Sequence, residues 1–269
     1  MVASRRVILA SALAACTPEP ASSQEILQTV QEMVDQGRAI TIENDVVALA
    51  ANVDPDGDPA DLRDDVAAIL ADMTCAVVTS GDDPIDLHVE FADDCAVQGR
   101  ALAGRMTATY ERPVDDLLVT LTLLDLTREG TTLSGVTRIS WGIDGTQRIV
   151  GELRLDVAVP DSDAPGRQIE IQTDRIQRVH RGVRQVDGWH RWQTLMGKWK
   201  AELAGWELAP DTTLPLRGLT VVDTPFEHDV VLDHRDAGAG SIELRANGGR
   251  ADRVFMVAAD GTITDLGED

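Results

Sequence analysis

Positive charge is what this chain has least of. Against 46 Asp and Glu it sets 24 Lys and Arg, a net charge of −22, and Lys198 and Lys200 are its only lysines. A surface of that sign excludes nucleic acid as a partner and argues against docking on anionic headgroups. It suits a body kept soluble by self-repulsion. Long apolar runs are also missing. The stretch Val7 to Ala15 is uncharged and apolar, but a bilayer-spanning helix needs about 20 such residues. The signatures of familiar enzymes are lacking too. There is no Gly-x-Ser-x-Gly, no Ser-x-x-Lys, and no glycine-rich phosphate loop after a strand. Carboxylates are so abundant that no one pair stands out as the acid and base of a glycosidase. The expectation is a protein that is not an enzyme.

What is present begins at the first residues. Arg5 and Arg6 form a short positive segment, Val7 to Ala15 an apolar one, and Leu13-Ala14-Ala15-Cys16 closes it. That order is the order of a secretory signal, with a cysteine where an ordinary cleavage site would stand. The stretch resembles the lipobox of bacterial lipoprotein precursors. The resemblance implies diacylglyceryl transfer to the Cys16 sulfur, cleavage before Cys16, and acylation of the new amino terminus. Each acyl chain contributes about 0.8 kcal/mol per buried methylene, so two or three chains hold a protein to a membrane. Thr17 stands where inner-membrane retention in many Gram-negative bacteria uses Asp, which favours the outer membrane or cell surface. Ser4-Arg5-Arg6-Val7-Ile8-Leu9 also resembles a twin-arginine export motif.

With Cys16 assigned to lipid, Cys75 and Cys95 remain. Outside the cytoplasm they are expected to form a disulfide, closing a loop of about 20 residues and contributing on the order of 3 kcal/mol.

The organisation expected is a signal peptide over 1–15, a lipidated tether over 16–23, a helical unit over 24–74, and a β-rich domain over 75–269. Pro18, Pro20 and two serines mark the tether. Ile26, Leu27, Val30 and Met33 are spaced for a helix that Gly37 would stop. Val46 to Ala51 reads as a second helical piece. Asp58 as N-cap and Pro59 at the first position open a third, with Leu62, Val66, Ile69 and Leu70 on one face.

Beyond residue 85 the period becomes two. Leu117, Val119, Leu121 and Leu123 form one apolar row; Leu153, Leu155, Val157 and Val159 form another, alternating with charged residues. Gly and Asp pairs punctuate the runs at hairpin spacing. An internal echo aligns Gly99–Gly104 with Gly130–Gly135, and the second glycine of each pair marks a bulge or close backbone approach. The fold class is therefore mainly β with a small N-terminal helical unit: a long antiparallel meander, curled or a partly open barrel, one face dry and one wet.

Three candidate sites follow. Asp54, Asp56, Asp58 and Asp65 occupy positions 1, 3, 5 and 12 of a calcium loop, calcium being the one cofactor the sequence suggests. Pro59 stands where that loop needs glycine, and Asp58-Pro59 already accounts for itself as a helix start. Trp189, Trp192, Trp199 and Trp206 put four of the five tryptophans within eighteen residues. As strands around Met196-Gly197 they alternate faces, Trp189 against Trp192 and Trp199 against Trp206. They would serve core and edge packing, or an aromatic groove for sugar or lipid. His228 and His234 share strand parity without metal-ligand spacing. The function expected is a lipid-anchored envelope protein serving as a structural or binding module. A carrier of a lipid inside the curled sheet, in outline similar to periplasmic lipoprotein carriers, requires an apolar cavity of roughly 300 Å³ or more. A secreted glycan-active hydrolase requires two carboxylates facing each other across a cleft at about 5 to 10 Å.

Overall fold

A computed structural model describes residues 20–268 apart from 52, 82, 84, 94, 115, 143, 159–165, 181–182, 209–213, 227 and 249–251. Two helices, α1 (Ser23–Ala50) and α2 (Pro59–Ala71), precede sixteen strands. These are β1 (Ala76–Ser80), β2 (Asp86–Phe91), β3 (Ala96–Val97), β4 (Arg100–Ala101), β5 (Ala103–Glu111), β6 (Leu118–Arg128), β7 (Thr131–Trp141) and β8 (Gln147–Val157). There follow β9 (Arg167–His180), β10 (Val183–Thr194), β11 (Gly197–Leu208), β12 (Arg217–Asp223), β13 (Asp229–Gly238), β14 (Ser241–Asn247), β15 (Arg253–Val257) and β16 (Ile263–Glu268). Fourteen of them form one sheet in chain order, every neighbour antiparallel, with β3 and β4 set apart as a small hairpin. The sheet curls without closing into a barrel, leaving β1 and β16 as its edges. The meander read from the sequence is the fold.

The expected rows are the inner wall. Val119, Leu121 and Leu123 of β6 are buried, as are Leu153 and Leu155 of β8, while Glu152 and Arg154, which alternate with them, are exposed. The echoed glycines do what their spacing implied. Gly135 has φ 138°, and a Cβ there would lie 2.3 Å from the carbonyl oxygen of Glu152. Only a residue without a side chain lets β7 and β8 approach so closely. Gly104 makes the same approach to Asp125 across β5 and β6.

The helices depart from expectation. Gly37 does not stop α1, which runs unbroken for 28 residues. A helical glycine costs about 1 kcal/mol relative to alanine, and burial of this one within the core outweighs that. The helix also begins earlier than expected. Ser22 and Glu25 form a reciprocal capping box, and the Ala21 amide donates to the Gly248 carbonyl. Residues 21–23 thus belong to the fold rather than to a free tether. At 1.5 Å per residue α1 spans about 42 Å, and strands such as β9, at about 3.3 Å per residue, match it.

A single apolar core runs through α1, α2 and the inner face of the sheet, so the helical unit has no separate core. Its central member is α1, with Ile26, Val30, Met33, Val34, Ile40, Ile42, Val46 and Val47 all buried. Those positions lie all round the helix, which identifies a helix enclosed on every side. The sheet wraps it. By contrast α2 packs from one side against β1, β2 and β5 through Leu62, Val66 and Leu70, while Ile69 is half exposed. No helix among the described residues is long and apolar enough to cross a membrane.

Candidate functional site

Enclosing α1 creates a problem, because the helix carries acid. Glu32, Asp35, Glu43 and Asp45 are all buried, and an unpaired buried carboxylate is prohibitive. The sheet answers with inward arginines. Arg167, at the start of β9, donates to Glu32 at 2.5 Å and to Asp35 at 2.7 Å. Arg175, mid-strand, donates to Asn44 at 2.8 Å and sits 2.9 Å from Glu43. Arg128 of β6 donates to Asp45 at 2.6 Å, and Arg100 adds a longer contact to the same carboxylate. The Trp192 indole donates to Glu32 and the Thr137 hydroxyl to Glu43. Gly151 makes room for this, since a Cβ there would lie 2.9 Å from the Glu43 carboxylate. Burial pushes the carboxyls of Glu32, Asp35 and Asp45 above their ordinary range, against the pull of Arg167, Arg38 and Arg128.

The ladder fixes direction as well as charge. Glu32 meets the beginning of β9 and Glu43 its middle, while Ala50 and Ala51 accept from Tyr110 and Gln147 at the far end. The chain therefore enters at one end of the shell and α1 leaves at the other.

At the entry end an open cleft of about 1150 Å³ lies between the first turns of α1, the start of β9 and the β10–β11 turn. Its wall includes Leu27, Leu195, Met196 and Ile263. Leu195 is 106% exposed and Met196 55% exposed. A neighbouring cleft of about 880 Å³ crosses the outer face of β7 to β12, where Arg191, Lys198 and Lys200 face Glu170 and Asp223.

The expected site residues are dispersed. Cys16 and the signal segment before it lie outside the described residues. Cys75 and Cys95 are bonded, with Cα atoms 5.0 Å apart, as expected. Of the four aspartates expected to hold calcium, Asp54 and Asp58 serve the backbone. Asp54 accepts from the Asp56 amide, Asp58 caps α2 through Ala60, and the Pro55 and Gly57 carbonyls accept from Arg112. An arginine thus occupies the carbonyl cage that a calcium loop would offer. Among the described residues no group of three or more His, Cys, Asp or Glu is placed to hold a metal.

The four tryptophans do not share one surface, although Trp192 and Trp199 border the cleft across β7 to β12. Trp192 and Trp199 stack inside the shell at 5.8 Å, and Trp206 is buried on the same inner face. Simple alternation puts Trp199 and Trp206 on opposite faces. Gly205 (φ 61°) forms a bulge opposite Asp187, whose carboxylate accepts its amide, and this restores Trp206 to the interior. Trp189 alone turns outward, beneath the Arg191 guanidinium at 4.7 Å. His234 points inward and bonds Thr220 at 2.9 Å, which in turn accepts from Trp206.

The α1 carboxylates and their arginines are what sequence reading missed. Their one local signal is parity, since Arg175 falls in step with the inward Ile169, Ile171 and Thr173. Compared with protein-family models, curated proteins and solved structures, the chain matches none.

Proposed function

We propose that this is a lipid-anchored, non-enzymatic protein of the cell envelope, held outside the cytoplasm by acylated Cys16. Its helix-filled shell serves as a rigid structural or binding module. The observation that carries the module reading is the enclosed, arginine-clamped α1. The space that a lipid carrier would keep for cargo is occupied by the protein's own helix, so surfaces rather than an interior are left for partners. The anchor reading rests on the Leu13–Cys16 pattern.

Intact mass and membrane fractionation of the native protein beside Cys16→Ala test this reading. A lipid-sized mass increment and membrane association, both lost in the variant, are expected. A soluble, unmodified wild type would remove the anchor. Turnover in a broad hydrolase screen, abolished by a single carboxylate substitution, would remove the non-enzymatic reading.

A further inference from the structure

We propose that the β10–β11 hairpin tip is a second membrane contact, a lipid-inserting tip that lays the entry end of the shell on the bilayer. The proposal deepens the anchor reading, and the test below separates the two.

Three observations converge on this tip. The first is its composition. Leu195 is the most exposed large apolar residue among those described, and Met196 stands beside it with Leu27 of α1 across the cleft. A fully exposed leucine on a two-residue turn gains nothing from the fold that presents it. Burying such a side chain in an apolar phase is worth on the order of 2 kcal/mol.

The second is position. The tip shares its end of the shell with the start of α1, and Ala21 is pinned there to Gly248. Cys16 stands four residues before Pro20, and extended chain covers at most about 3.6 Å per residue, so the Cys16 backbone lies within about 14 Å of Pro20. A lipid on Cys16 therefore brings this end of the shell to the membrane.

The third is charge. In a chain of net −22, the only two lysines flank this tip on β11, with Arg191 beside them on β10. In the register Lys200 lies opposite Arg191 and Lys198 opposite Gln193. Of the nearby carboxylates, Glu202 is bound by Lys200 and Glu32 by Arg167, while Glu170 and Asp223 share the outer cleft with Arg191, Lys198 and Lys200. Exposed apolar residues backed by cations are the pattern of an interfacial anchor, the cations meeting headgroup phosphates while the apolar tip enters the acyl boundary. Net repulsion from an anionic leaflet and local attraction at this tip coexist because screening confines each to about 8 Å.

The test uses the full-length protein purified from membranes, its intact mass recorded, and reconstituted in vesicles of 3:1 phosphatidylethanolamine and phosphatidylglycerol. An environment-sensitive fluorophore is placed at Leu195→Cys or, at the opposite end of the shell, at Val114→Cys. The same labels are placed in a Cys16→Ala background with vesicles added. At position 195 the emission is expected to shift to the blue and be quenched by spin-labelled lipid, while position 114 stays water-like. In the Cys16→Ala background, Lys198→Glu with Lys200→Glu is expected to weaken vesicle affinity about fivefold per lysine. A water-like probe at 195 in a sample whose mass shows the lipid overturns the docking and leaves the anchor standing. If the mass shows no lipid, the Cys16→Ala vesicle arm decides the docking alone, a water-like 195 again overturning it. A blue shift that grows with protein concentration without vesicles identifies a second copy as the occupant and overturns it as well.

Discussion

Arg175 and Glu43 meet 2.9 Å apart in the centre of the molecule, neither side chain reaching solvent. The contact is an ion pair rather than a well-aligned hydrogen bond, since the facing nitrogen and oxygen have no hydrogen-bond partner among the described residues. Thr137 donates to the other Glu43 oxygen and Arg175 donates to Asn44, while Arg175 Nε has no hydrogen-bond partner among the described residues. Such a pair specifies where the helix sits more than it stabilises the fold, because desolvating both charges offsets most of their attraction.

The asymmetry between breaking and replacing the pair is testable. Arg175→Leu leaves Glu43 charged and buried, with an expected loss of about 3–5 kcal/mol in urea unfolding. Combining it with Glu43→Leu is expected to recover most of that loss, because no lone charge remains. A double variant as unstable as Arg175→Leu alone would mean that the charge is not the cause.

Backbone approach gives a second contrast. Gly135→Ala would drive a methyl into the Glu152 carbonyl at 2.3 Å, on a backbone of φ 138°. The expected cost is at least about 3 kcal/mol, or failure to fold. Gly99 also has positive φ (78°), but a methyl added there would meet nothing within 4 Å. Gly99→Ala should cost only the left-handed conformation, about 1–2 kcal/mol. Equal losses measured by thermal unfolding would argue that conformation rather than contact dominates at both glycines.

The bond between Cys75 and Cys95 ties the loop after α2 to the stretch before β3. Removing it as the paired serine variant is expected to lower stability by about 3 kcal/mol, the loop-closure entropy of some 20 residues. The variant should retain its far-ultraviolet circular dichroism at 25 °C, because the meander from β5 onward is built without it. A variant that unfolds outright would show that β1 and β2 are needed by the rest of the sheet.

What could be read from the sequence was local. Strand parity placed Leu121 and Leu153 inward, and spacing picked out Gly104 and Gly135, because a two-residue period and a missing side chain are properties of short stretches. Trp206 was misplaced because one bulge at Gly205 inverts parity, and a bulge leaves no mark beyond a glycine. The interior of α1 was illegible for a deeper reason. Glu43 finds Arg175 across 132 residues, and Asp45 finds Arg128 across 83. Neither charge is distinguishable in sequence from the many solvated ones. Their burial is a property of the closed shell, which no window of the chain contains. Gly37 belongs to the same class, a helix breaker by propensity held in a helix by its surroundings.

Acid sensitivity follows from two histidines. His190 and His234 are enclosed on either side of Trp206, and burial holds their pKa values down at about 3. For His190 the nearby Arg175 guanidinium pushes the same way. In the unfolded chain each titrates near 6.5, so between pH 6.5 and 3 the unfolded state binds more protons. Stability is therefore fully present above 6.5 and lost as pH falls toward 3, at about 1.4 kcal/mol per unit for each histidine. By pH 5 the two together should remove roughly 4 kcal/mol. Glu32, Asp35 and Asp45 oppose this at lower pH, because carboxyls raised by burial bind protons more readily when folded, and the fold gains from their protonation below their raised values. The histidine contribution is isolated by comparing wild type with His190→Phe and His234→Phe in urea unfolding at pH 7 and pH 5. Each variant should lose about 2 kcal/mol less than wild type between those pH values. Parallel losses in all three proteins would assign the acid sensitivity to other groups, and the two rings would then be exposed to water more often than this packing allows.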